Sequence, residues 1–175
     1  TYESLVARGL PQNVRCLPFG LSSTQGERLL HVCERHSGMT SLYVRSGLGD
    51  GWDMSRGEAA QQARFETLDD YCARHNLSRV DFVKIDVEGH ELDVLRGARG
   101  MLTAGALRWV QFEYGGAYVD SRCLLRDAYE LIADLPYRIF KIMPSWLQPV
   151  PEYDARLENF QYKNFVMVRK EEGDR

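Results

Sequence analysis

The chain has 175 residues, 44% of them hydrophobic and 27% charged, with a formal net charge of −3. That is one domain of ordinary size, long enough to bury a core, and it excludes wholesale disorder. The balance of charge gives no footprint for nucleic acid or an anionic membrane, and no apolar run approaches the ~20 residues that span a bilayer.

Residues 1–10 read as the end of a helix, stopped by Gly9 and Pro11, with no basic-then-apolar signal pattern. Residues 13–21 form a candidate strand whose Pro18 suits a strand end, and 22–26 have turn chemistry. Residues 27–33 and 40–44 flank Arg35-His36-Ser37-Gly38 and are expected to pair as an antiparallel hairpin. Residues 46–57 are a glycine-rich loop, and 58–65 read as a polar loop or a turn of helix. Residues 64–68 read as extended and 69–75 as a helix with Asp69 in the cap position.

Residues 80–102 read VDFVKIDVEGHELDVLRGARGML. Phe82, Val83, Ile85 and Val87 make a short buried strand. Charge follows abruptly as Asp86, Glu88, His90 and Glu91 around Gly89, and Leu92, Leu95, Ala98 and Leu102 then recur at helical spacing. Residues 107–114 form a second buried strand that ends in Glu113. An amphipathic helix at 124–135 carries Leu125, Ala128, Tyr129, Ile132 and Leu135 on one face, and Pro136 closes it. Strands at 137–143 and 164–169 are joined by a loop holding Trp146. A single domain over 1–170 is expected, with 171–175 a solvated tail. The alternation predicts an α/β fold, a parallel sheet with helices on both faces, and an antiparallel pair at its end. Cys16, Cys33, Cys72 and Cys123 are scattered, without a CxxC pair. That is the pattern of reduced, partly buried thiols in a cytoplasmic protein, with no zinc site expected among them.

FVKIDVEGHELDVLRGA resembles the signature of the FkbM family of S-adenosylmethionine-dependent methyltransferases, a KIDVEG-x-E turn followed by a VLxGA helix. RFETLDDY resembles that family's TLDxY segment, residues 13–26 its strand and turn, and Phe112-Glu113 its strand end. The resemblance covers residues 14–169. It implies a class I, Rossmann-like three-layer sandwich, mostly parallel with an antiparallel last strand, and S-adenosylmethionine as cofactor. In such enzymes a strand, a GxGxG turn and an acidic strand end precede the segment that matches Asn13. Twelve residues precede it here, so the N-terminal strands that grip the cofactor are expected to lie outside the chain. Gly47-Leu48-Gly49-Asp50-Gly51 also reads GxGxG. The run entering it ends in Arg45-Ser46 rather than an acid, so it reads as a variable loop.

Methyl transfer from a sulfonium depends on alignment of the two reactants, and a hydroxyl acceptor must also lose a proton. Ligands of open α/β sheets bind at the carboxyl ends of the strands. Asp86, Glu88 and Glu113 are therefore the candidate catalytic residues. Asp86 could also accept from the cofactor's amino group, bind a metal, or merely cap its turn. Glu88 and Glu91 have a simpler role as acids favoured by the helix dipole. Lys84 is expected to pair with Asp86 or Glu113. His90 is either a general base or an exposed bystander. By analogy with class I enzymes, Leu21 and Ser22 would meet the adenine. Tyr114, Tyr118 and Trp146 either line an acceptor pocket or fill the core. The expected activity is O-methylation of a sugar or other small hydroxyl, with a small-molecule or glycan partner. The alternatives are a metal-dependent hydrolase using Asp86, Glu88 and Glu113, or a non-catalytic truncated domain.

Overall fold

The computed structural model describes residues 2–32, 40–44 and 59–170. The glycine-rich stretch at 46–57, Cys33 and the tail at 171–175 lie outside the described residues. In chain order the elements are α1 (Tyr2–Ala7), β1 (Gly20–Leu21), β2 (Gly26–Val32), β3 (Ala59–Glu66) and α2 (Leu68–Arg74). β4 (Val80–Ile85), α3 (Glu91–Arg96), α4 (Arg99–Thr103), β5 (Leu107–Tyr114), α5 (Ala117–Ser121) and α6 (Leu125–Ile132) follow. β6 (Tyr137–Ile142), β7 (Leu147–Pro149) and β8 (Lys163–Arg169) complete the order. Among the described residues no helix is long and apolar enough to cross a membrane.

The main sheet has the order β4-β5-β8-β6-β7. β4 and β5 pair in parallel, as a strand–helix–strand unit requires. β8 is inserted antiparallel between β5 and β6, so β6 runs in the direction of β4 and β5. This is the antiparallel last strand that the helix-free link between 137–143 and 164–169 predicts. β7 is a second antiparallel strand, at the edge. The sheet is therefore mixed, and the expectation of a mostly parallel one is corrected: three of its four strand pairings are antiparallel.

The core lies on one face of this sheet. Ile85, Val110, Phe112, Tyr114, Ile139, Phe165 and Met167 point toward Leu92, Leu95, Leu102, Leu125 and Ala128 of the helices. Phe82, Trp109 and Gln111, at alternate positions, stand outside that cluster, and Phe82 is 55% exposed. Among the described residues α2 to α6 thus all contribute to one layer on that face of the sheet, not the two layers that a three-layer sandwich needs. Successive crossovers in the same direction along a sheet place their helices on the same side.

The N-terminal part departs further from expectation. Only Gly20–Leu21 of 13–21 is a strand, and it pairs in parallel with Phe65 and Glu66. β2 pairs antiparallel with β3 along its whole length. Residues 40–44, expected to complete the hairpin, meet β2 only at the bridge between His31 and Ser41. β3 has the polar sequence AAQQARFE and no apolar alternation, which is why it reads as loop. Backbone pairing, rather than burial, makes it a strand.

Caps and glycines explain the local geometry. Thr67, not Asp69, caps α2, its hydroxyl accepting from the Asp70 N–H. Asp69 instead accepts from the N–H groups of Gly100 and Met101 and so caps α4 from a distance. The expected single helix after the acidic turn is two short ones, joined at Gly97 and Ala98. A Cβ at Gly97 would fall 2.0 Å from the Ser22 carbonyl oxygen, so the helix junction reaches β1 only because this residue is glycine. Glu158 accepts from the N–H groups of Leu125 and Arg126 and from the Tyr114 hydroxyl. It thereby satisfies the first turn of α6 from across the core edge.

Candidate active site

The turn between β4 and α3 is the centre of the site. Glu88 and Gly89 both have positive φ, 51° and 101°, and a Cβ at Gly89 would meet the Ala117 carbonyl oxygen at 2.8 Å. Glycine is therefore required there on both counts. Glu91, 1% exposed, turns its carboxylate back into the turn and accepts from the Val87 and Gly89 N–H groups at 3.0 Å each. It is the structural acid at the helix start. Burial pushes its carboxyl up to about 7, against the opposing pull of those backbone donors.

The turn is clamped from its other side. The Ser41 hydroxyl donates to the Glu88 carbonyl at 2.7 Å. His90, only 7% exposed, meets Ser22 Oγ through Nε2 at 2.9 Å and the Tyr43 hydroxyl through Nδ1 at 3.1 Å. Asp93 lies 3.4 Å from the same Nδ1. Burial holds the imidazole below its usual range, which favours the neutral ring, one nitrogen donating and the other accepting. His90 is thus neither an exposed bystander nor a base open to a ligand; it is a buried cross-link. Its place in the middle of a charged turn hides this, and only the partners at Ser22 and Tyr43 reveal it. Ser22 is fully buried, and its N–H donates to the Glu66 carbonyl. Leu21 packs partly against the core beside it.

Asp86, Glu88 and Glu113 come together: one carboxylate oxygen from each lies within 4.8 Å of the others. The parallel register that sets Ile85 beside Phe112 places the ends of β4 and β5 side by side. Lys84 Nζ donates to Asp86 Oδ2 at 2.6 Å, and both side chains are about half exposed. That bond, with the charges of Asp86 and Glu113, raises the lysine above its usual range. The expected pairing with Asp86 is therefore present, and the ammonium group also feels the charge of Glu113. Such a cluster has the oxygen ligands a divalent cation takes; Lys84 supplies a positive charge at the same place.

Tyr114 and Tyr118 are buried in the core with rings 4.9 Å apart, and do not line a pocket. The Tyr118 hydroxyl has no hydrogen-bond partner among the described residues. Trp146 is exposed in the link between β6 and β7, at the same sheet edge as Asp86 because β6 parallels β4.

The profile of the Methyltransferase FkbM domain matches residues 9–162. The chain belongs to the FkbM methyltransferase family. Neither a curated protein nor a solved structure shows a match to it. Family membership makes this a methyltransferase domain, and the matched region contains the whole acidic turn, Glu113 and the TLD segment. The geometry supplies physical reasons for the glycines and the buried acid of this stretch. Gly89 avoids Ala117, Glu91 closes the turn, and Gly97 admits the Ser22 backbone.

Proposed function

We propose that this protein is an S-adenosylmethionine-dependent O-methyltransferase whose acceptor is a hydroxyl of a sugar or other small molecule. The observation that carries the reading is the adjacency of Asp86 and Glu113 at the carboxyl ends of two parallel strands, in a chain of this family. The residues present fit the cofactor's chemistry. Asp86 offers an accessible carboxylate for an amino group, and Leu21 offers apolar surface, with Ser22 anchoring it from behind through His90. When bound, S-adenosylmethionine supplies a methyl group carried on a positive sulfur.

The chain's own residues provide alignment and a proton acceptor. Glu113 is placed to take the acceptor's hydroxyl proton, with Lys84 balancing the charge of the cluster. Glu88 is held at the rim by the left-handed turn, where it can orient the acceptor. The test is calorimetry with S-adenosylhomocysteine together with a methyl-transfer assay. Glu113→Gln should lower turnover by about 10²-fold or more while leaving S-adenosylhomocysteine affinity nearly unchanged. Asp86→Asn should weaken both. Full turnover by Glu113→Gln, or failure of a protein that also carries the preceding strands to bind S-adenosylhomocysteine, overturns the assignment.

A further inference from the structure

The edge that holds the acidic cluster continues across β8. Asn164 stands opposite Glu113 in the antiparallel register, and the Gln111 side-chain amide donates to the Asn164 side-chain carbonyl at 2.8 Å. That bond leaves the Asn164 amide nitrogen as a donor and the Gln111 carbonyl as an acceptor. One step further along the register, Tyr162 faces Gly115. A Cβ on Gly115 would lie 2.6–3.0 Å from three carbons of the Tyr162 ring, so the ring rests on bare backbone. Glycine at 115 is what lets it lie there, and 52% of Tyr162 remains exposed. Side chains two residues apart on a strand share a face, so Gln111 and Glu113, with Asn164 opposite, stand on the face away from the core, and the Tyr162 ring over Gly115 continues their row.

We propose that Tyr162 is the platform on which the acceptor stacks, which makes the acceptor a pyranose or similarly flat cyclic polyol. The inference rests on the methyltransferase reading and names its substrate class. A pyranose has an apolar face of C–H groups that matches an aromatic ring, and hydroxyls around its rim that need both donors and acceptors. Glu113 and Asn164 lie beside the ring, Glu113 to receive a proton from a hydroxyl and the Asn164 amide to donate, and Gln111 behind them offers its carbonyl as an acceptor. An acyclic polyol has the hydroxyls without the preformed apolar face.

Saturation-transfer NMR with methyl β-D-glucopyranoside and methyl α-D-mannopyranoside, against sorbitol as the acyclic control, tests the platform. S-adenosylhomocysteine calorimetry runs on the same samples. The protein should bind at least one pyranoside in preference to sorbitol. Tyr162→Phe should retain that binding. Tyr162→Ala and Tyr162→Leu should each weaken it about tenfold or more, with S-adenosylhomocysteine affinity unchanged. The leucine variant keeps an apolar cover over Gly115 and so separates loss of stacking from loss of fold. Pyranoside binding that survives in both variants, or no preference over sorbitol, overturns the platform. Pyranosides bound through Tyr162 without any binding of S-adenosylhomocysteine would instead sink the methyltransferase reading and leave the platform standing.

Discussion

Replacing Glu91 with glutamine tests the balance of forces in the acidic turn. Two effects compete at this carboxylate. Backbone donors from Val87 and Gly89 favour the ionised form, while near-complete burial disfavours it. Burial wins, lifting the group from 4.5 to about 7. A carboxyl raised on folding stabilises the protein fully below its unfolded value. That contribution is lost as pH rises through the folded value. A rise of that size corresponds to about 3 kcal/mol, spread over the window from about 4.5 to about 7.

Glu91→Gln keeps an acceptor for the turn and removes the titration. Urea unfolding of both proteins at a series of pH values from below to above that window reads the effect. The stability of Glu91→Gln relative to the parent should climb by about 3 kcal/mol across it. His90 acts in the opposite sense, since burial lowers it and its contribution is lost as pH falls below the imidazole's ordinary 6.5. Because both proteins contain His90, its contribution cancels in the difference. A difference between the two proteins that stays flat with pH would refute the reasoning. It would mean that the backbone donors keep Glu91 ionised throughout.

Gly97→Ala sets a helix-propensity gain of about 1 kcal/mol against a methyl group 2.0 Å from a backbone oxygen that cannot swing away. The clash should win, with a net loss of about 1–3 kcal/mol in denaturant unfolding; a stabilised variant would contradict it. His90→Leu leaves the buried Ser22 hydroxyl without its imidazole partner and should lower stability by about 1–3 kcal/mol. An unchanged midpoint would show that the cross-link does not matter. Glu158→Ala strips the acceptor from two N–H groups of α6 and from the Tyr114 hydroxyl. The expected cost is about 1–3 kcal/mol, and amide exchange at Leu125 and Arg126 should speed up.

Local pattern was enough wherever one element buries one face. The run from Val80 to Ile85, the second run from Leu107 to Tyr114 and the amphipathic stretch from Leu125 to Ile132 are each readable from apolar spacing. The acidic cluster was also legible, because two strands joined by a helix must lie parallel and so bring Asp86 and Glu113 to the same edge. The motif letters supplied the family, which the match over residues 9–162 shows.

What escaped the sequence depends on partners far along the chain. β3 is polar and becomes a strand only because β1 and β2 offer it backbone partners on both sides. The role of His90 is set by Ser22 and Tyr43, 68 and 47 residues away. Asp69 caps a helix that begins 30 residues later, not its own. Tyr162 gains its place from the antiparallel register of β8 on β5 and the bare backbone of Gly115. Residue spacing therefore determined the strands at 80–85 and 107–114, the helix at 125–132 and the acidic turn, since periodicity and turn chemistry act over a few residues, and the motif letters pointed to the family. The tertiary structure decided which face carries the core and which groups stand beside Glu113, because sheet order and register are set only when distant segments pair.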